Sequence, residues 1–438
     1  MILLSKNKLQ KFSIFLIILT ILSFFVGFYL EETATNGYVD LNWIKKNIKI
    51  FLDNNIYDAI KHPEYFGNRS PLMYILHSAL NPFLDNIYHY RITVFLFSIT
   101  GPFLFFLCLK QKYKDRENIL LILISSIILL SPYFRSSAFW GLEENYSIIF
   151  SFLSFLSLYT FLNNDKKNFY SFFLIIFVAL TSSFCIYFDQ KFLIIPLICF
   201  VSIIFSKKLL KFKILLIILY IIFALPYIYL FIIWGGINPP LTAAENPNSI
   251  TQLSRISNLY FPHIGYSITM IAFYLFPMIF FMKKSIKEHF KNLFNSKFNH
   301  FLILIFLAYL LYLIIFFDYE KFTTVNYWIG LGYIHKISLI LFQQSPGLQE
   351  IFTLFSFAIS WLILIAFIDS KFQNLLIVFY FLTISIFLWP LMQEYFDPII
   401  LILVFSVFRS VKYFNKLNSV FALIYLSTLL IIANLYYN

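Results

Sequence analysis

The residues able to do chemistry in this chain are few, and they stand at the ends of apolar runs. Asp40 follows the first run, and a carboxylate there can draw a proton from a hydroxyl as that hydroxyl attacks an electrophilic carbon. An Asp at this position equally suits a helix cap, accepting from a free backbone N–H. Glu143 and Glu144 form an acidic pair ahead of another run. Glu143 suits a share in the proton transfer or a hold on the acceptor, and Glu144 suits substrate binding; both equally suit solvated loop acids, one of them capping a helix that starts near Asn145. A phosphate group, if one is bound, suits guanidinium groups, which take two oxygens at once, or lysines acting as point charges. Arg91, at the mouth of a run, and Arg255, in a polar loop, are the favoured phosphate-binding residues among Arg69, Arg91, Arg135, Lys191, Arg255, Lys321 and Lys336. Snorkelling to lipid headgroups is the alternative for each.

No metal or cofactor is expected. The seven histidines form no HxxxH or HxH pair, there is no Asp-x-Asp, and no Gly-rich phosphate loop is present. Cys108, Cys185 and Cys199 sit in or beside apolar runs without metal or redox spacing.

The elements that must position these residues follow from composition. Of 438 residues 60% are apolar and 12% charged, against about 25% charged in a soluble domain, so the chain belongs in a membrane. With about 17 to 25 apolar residues per span, helices are predicted near 13–30, 92–109, 118–130, 146–162, 170–187, 191–206, 214–234, 265–282, 300–317, 350–368, 375–391, 398–408 and 419–436. The result is an all-α polytopic membrane protein of about 13 transmembrane helices, one integral domain over 1–438. The first run lacks a small-residue cleavage site and reads as a retained span.

Net charge +12 would also suit nucleic acid, but the charges fall between apolar runs, so no nucleic-acid partner is expected. With a cytoplasmic N-terminus, 22 of the 33 Lys and Arg fall on the inner side, as the positive-inside rule requires. The outer side receives 16 of the 21 carboxylates and the longest loops. A site at the outer membrane surface is therefore expected, with membrane lipids and the substrates as the partners. Short loops favour a bacterial inner membrane.

Two outer loops have function-like composition. In 31–91, Leu41, Ile44, Ile48 and Phe51 recur at helical spacing opposite Lys45, Lys46 and Lys49, predicting an amphipathic helix on the bilayer surface. A second polar-apolar turn runs from Ser70 through Pro82. In 235–264, Gly235-Gly236 and Pro239-Pro240 punctuate a turn, and Gln252, Arg255 and Asn258 share a helical face suited to sugar hydroxyls and phosphate, or simply to solvent. His263, beside Tyr260 and Phe261, suits a sugar or phosphate contact or an interfacial aromatic cluster.

An acid just after the first span, then surface helices and many spans, is similar to the layout of GT-C superfamily glycosyltransferases. Tyr38-Val39-Asp40 with Trp43 resembles the Tyr-x-Asp-Glu segment of the dolichyl-phosphate-glucose α-1,2-glucosyltransferase family, and Ser70-Pro71-Leu72-Met73-Tyr74 with Ser78 resembles its Pro-Gly-Leu-Tyr stretch. Tyr90-Arg91 is similar to its Leu-Arg pair, Phe139 to Glu143 to its Tyr-Tyr-Thr-Asp, and Phe188-Asp189-Gln190-Lys191 to its Phe-Arg-Gln-Thr. Trp234 to Ile237 resembles its Asn-Gly-Gly-Ile, Phe261-Pro262-His263 its Phe-Pro-Gln, and Tyr395-Phe396 with Pro398 its Arg-Tyr-Phe-x-x-Pro. The fragments keep the family's order over 38–398, while Leu41 replaces a Glu and Asp189 and Glu394 replace arginines.

The resemblance implies an inverting hexosyltransferase taking a polyprenyl-phosphate sugar and passing the sugar to a glycan or glycolipid acceptor, with Asp40 as base. It further implies substrate contacts from Tyr38, Gln190 and Tyr395. The alternatives are a polysaccharide polymerase of the O-antigen type, relying on paired outer arginines, and a flippase or transporter of lipid-linked oligosaccharide. The latter would need charge within its spans, which is scarce here, and no internal repeat supports it.

Overall fold

A computed structural model describes residues 6–34, 37–67, 69–84, 86–164, 169–236, 238–239, 241, 259–276, 297–320, 323, 332–343, 345–368, 372–388, 391–408 and 419–437. Their regular structure is helical, with no strand among them. The chain divides into two compact units, Met1–Ser254 with Ala422–Asn438, and Arg255–Phe421.

Each of the thirteen predicted segments contains helix among its described residues. Among the described residues, seven are long and apolar enough to cross a bilayer, eight if a bent pair counts as one span, so a multi-pass integral membrane protein is the architecture observed. Five of the seven belong to the first unit: α1 (Lys6–Tyr29), α5 (Ile87–Lys112), α8 (Glu144–Asn163), α9 (Phe169–Phe188) and α11 (Leu210–Trp234). Shorter helices in that unit are α2 (Gly37–Asp53), α3 (Ile56–Lys61), α4 (Leu72–Leu80), α6 (Asn118–Ser126), α7 (Pro132–Trp140) and α10 (Ile194–Ile204).

The predicted span 118–130 is shorter than a straight crossing. It runs as α6 and a 3-10 turn to Leu130, then bends by 65° into α7. The cause is local. Pro132 cannot continue a hydrogen-bonded helix but suits a first turn, and the Ser131 Oγ accepts from the Phe134 N–H (3.2 Å) to start the new one.

Helix α2 has the predicted stripe, with Leu41, Ile44, Ile48 and Phe51 buried, but its covering differs from the expectation. The stripe packs on protein, chiefly α4 and α7, instead of on the bilayer surface. Asn47, fully buried on the same face, shows why: its amide donates to the Phe66 carbonyl (2.6 Å) and accepts from the Phe66 N–H (3.3 Å), tying α2 to the following loop.

The first unit has chemically distinct ends. Where α1 and α9 finish and α5 and α8 begin lie Glu31, Glu32, Arg91, Glu143, Glu144 and Asp189. At the other end Asn163 donates to the Gln111 carbonyl (3.0 Å), Lys208 Nζ to the Asn164 carbonyl (2.5 Å) and Lys213 Nζ to the Ile204 carbonyl (2.6 Å).

The second unit centres on α12 (Pro262–Leu275), packed against α15 (Pro346–Phe367), with α13 (Lys297–Phe316), α14 (Gly332–Phe342), α16 (Phe372–Phe387) and α17 (Ile399–Ser406) around these two. Gly265 permits the closest approach, since a Cβ there would lie 2.3 Å from the Phe357 ring. The last helix, α18 (Ser419–Tyr437), returns mainly to the first unit, where Ser23 Oγ donates to Asn434 Oδ1 (3.0 Å).

Candidate functional site

The acidic pair is positioned by a turn that demands glycine. Helix α7 ends at Gly141, which has φ +72°, and the Leu142 N–H closes on the Ser137 carbonyl at 2.9 Å. A Cβ on Gly141 would come within 2.6 Å of the Tyr90 ring, whose hydroxyl donates to the Gly141 carbonyl (2.6 Å). Glu143 and Glu144 then fall at the N-terminus of α8, where the free N–H groups and the helix dipole favour negative charge.

One guanidinium gathers three acids there. Arg69 lies 2.7 Å from Glu143 Oε2, 2.5 Å from Glu144 Oε1 and 3.6 Å from Asp189 Oδ2. Lys191 Nζ closes the other side, 3.1 Å from Asp189 and 3.7 Å from Glu144. Tyr74 donates to Glu143 Oε1 (3.0 Å), and Ser137 to Glu144 Oε2 (3.1 Å). The loop bearing Arg69 is held on one side by Asn47 and on the other by Ser70, whose hydroxyl donates to the Tyr187 carbonyl. Asp189 interrupts the backbone between α9 and α10, its Oδ1 capping the 3-10 turn at the Lys191 N–H (3.0 Å).

Two cations facing three carboxylates leave a surplus negative charge in a buried place. Burial pushes the Glu143 carboxyl above its usual range, against the pull of Arg69. Glu143 is thus the member of the cluster suited to hold a proton.

Beside this cluster stand two further arginines. Arg91, 6% exposed, donates from Nε to the Phe139 carbonyl (2.8 Å) and from Nη1 to Glu31 (2.6 Å), and lies over the Trp140 ring at 4.5 Å. Its Nη2 is buried with no hydrogen-bond partner among the described residues. Arg135 is spent: fully buried, it donates to Glu32 (2.8 Å), Ser23 Oγ (3.0 Å) and the Ser23 carbonyl (2.9 Å). Burial raises Glu32, with Arg135 opposing.

Glu143, Glu144 and Arg91, expected from the sequence, therefore lie in this ionic end of the unit. Asp40 is exposed in the first turn of α2, inside the helix and not ahead of it. Tyr38 is exposed on the same turn, its ring edge-on to Trp140 at 6.2 Å. Gln190 opens the 3-10 turn beside Lys191.

His263 and Tyr395 belong to the second unit. His263 is fully buried, its Nδ1 3.1 Å from the Ser385 carbonyl, its ring stacked on Tyr260 at 5.1 Å, and its pKa lowered by burial to about 4. Tyr395 ends a short 3-10 turn. Arg255 lies outside the described residues.

The organising roles of Arg69, Asp189, Lys191 and Tyr74 are what sequence reasoning missed. Arg69 and Lys191 carried a signal as outer basic residues, and Asp189 as a polar break between apolar runs; nothing local in Tyr74 marks it. Among the described residues no group of His, Cys, Asp and Glu is arranged to hold a metal ion. The chain matches no family model, no curated protein and no solved structure.

Proposed function

We propose that the chain is an inverting membrane glycosyltransferase of thirteen spans. It takes a hexose from a polyprenyl-phosphate donor and passes it to a lipid-linked glycan or other cell-surface acceptor at the extracytoplasmic face of a bacterial inner membrane, the N-terminus being cytoplasmic. The observation that carries this reading is the ionic end of the first unit, where Glu31, Glu32, Glu143, Glu144, Asp189, Arg69, Arg91, Arg135 and Lys191 converge at helix ends from separate elements. A transporter would need such groups within its spans. A transferase drawing its donor from the bilayer needs them at the rim.

In the reaction the acceptor oxygen bonds to the anomeric carbon as the bond from that carbon to the phosphate oxygen breaks. The acceptor's proton passes to Asp40, exposed in the first turn of α2. Arg91, whose Nη2 retains unspent donor capacity beside the Trp140 ring, takes the polyprenyl phosphate as its charge develops. The Arg69 cluster anchors acceptor hydroxyls through Glu143 and Glu144.

The test is transfer by the purified protein in nanodiscs from a panel of radiolabelled polyprenyl-phosphate hexoses to a glycolipid acceptor fraction. Asp40→Asn is expected to reduce the rate by about 100-fold or more with donor binding retained. If a folded protein transfers from no donor, the reading fails and the polymerase alternative takes its place.

A further inference from the structure

The opposite end of the first unit holds a groove that plays no part in the proposed chemistry. It has a volume of about 680 Å³ and runs between the first turns of α9 and α11, lined by Phe169, Phe172, Phe212, Leu215, Ile218 and Lys211. Its walls are apolar and open to the side: Phe169 is 74% exposed and Ile218 48%. Phe212 is buried against Phe161 at 5.5 Å and forms the floor.

Charge at the mouth tells what such a groove receives. Lys207, Lys208, Lys211 and Lys213 fall within seven residues. Lys208 and Lys213 are turned to backbone carbonyls, whereas Lys207 and Lys211 have no carboxylate partner among the described residues. Lys211 lines the groove itself and lies over the Phe212 ring at 5.2 Å. An apolar slot with cations at one end is complementary to a chain with an anionic head.

We propose that this groove is a binding site for one anionic glycerophospholipid, an acyl chain lying between Phe172 and Ile218 and the phosphate meeting Lys211 and Lys207. The site does not depend on the transferase reading.

Native mass spectrometry of the delipidated full chain, titrated with phosphatidylglycerol and separately with phosphatidylcholine, tests it. The expected result is a first adduct forming at markedly lower phosphatidylglycerol concentration. Lys211→Gln and Lys207→Gln should each weaken it by about fivefold, and Ile218→Trp, which fills the slot, should weaken both lipids. Lys46→Gln, at the other end of the unit, should change nothing. Equal adducts with the two lipids, or a phosphatidylglycerol preference that survives the double lysine variant, would each overturn the proposal.

Discussion

Arg69 is the residue on which the ionic end depends, because it is the shared counter-ion of three carboxylates. Arg69→Ala leaves Glu143 and Glu144 buried without it, and the loss of stability expected is about 3 kcal/mol in a denaturant or thermal melt in detergent. Arg69→Lys should recover only part of this, since an ammonium cannot span two carboxylates in a fork. Glu143→Gln should behave oppositely. It keeps an oxygen for the Tyr74 hydroxyl and removes the surplus charge, so stability at pH 7 should hold or rise while transfer falls; a variant that melts earlier would count against a strained, functional Glu143.

His77 contributes to the pH dependence of stability. Asn81 Nδ2 meets its Nδ1 at 3.0 Å, leaving the ring proton on Nε2 to be donated to the Tyr146 hydroxyl (2.7 Å), and burial lowers the pKa from 6.5 to about 4. The unfolded chain binds this proton more readily than the folded one. Stability contributed by the neutral ring is therefore complete above pH 6.5 and lost as pH falls toward about 4. His77→Gln should flatten that part of the stability profile, and an unchanged slope would refute the assignment.

At the scale of elements, the bend from α6 to α7 and the turn at Gly141 carry the acidic pair to the site. Neither tolerates an ordinary helix. Gly141→Ala imposes a left-handed backbone on a residue with a Cβ and drives that Cβ into the buried Tyr90 ring, so a cost of about 2 kcal/mol or more is expected from chemical denaturation. Activity should fall with it, because the Glu143–Arg69 distance depends on this turn. Gly235 offers the control: its φ is +66°, yet a Cβ there meets nothing within 4 Å, so Gly235→Ala should cost only the backbone strain.

At the scale of the whole molecule, the partition of charge between the two ends of the first unit predicts a topology. Lys46 lies on the exposed side of α2 at the acidic end, and Lys211 at the lysine-rich end. In intact cells Lys46→Cys should react with a membrane-impermeant maleimide, and Lys211→Cys only after permeabilisation. The native Cys108, Cys185 and Cys199 are all buried, so background labelling should be low. Labelling of both positions from the same side would refute the orientation and, with it, an extracytoplasmic transfer site.

What the residues alone determine is whatever is local. Sixty per cent apolar composition and runs of span length settle the membrane class and place helices near 13–30, 92–109 and 146–162, because burial of backbone polar groups in lipid leaves a single chain segment little choice but helix. The stripe of Leu41, Ile44, Ile48 and Phe51 likewise announces its own helix. It does not say what covers the stripe, since lipid and protein are equally apolar solvents; only the packing on α4 and α7 decides that. Nor could spacing reveal that Arg69 meets Glu143 across 74 residues, or that Lys191 and Asp189 complete the pair. Such charges are drawn together by the low dielectric of a shared interior, and that interior exists only once α4, α7, α8 and α9 have packed.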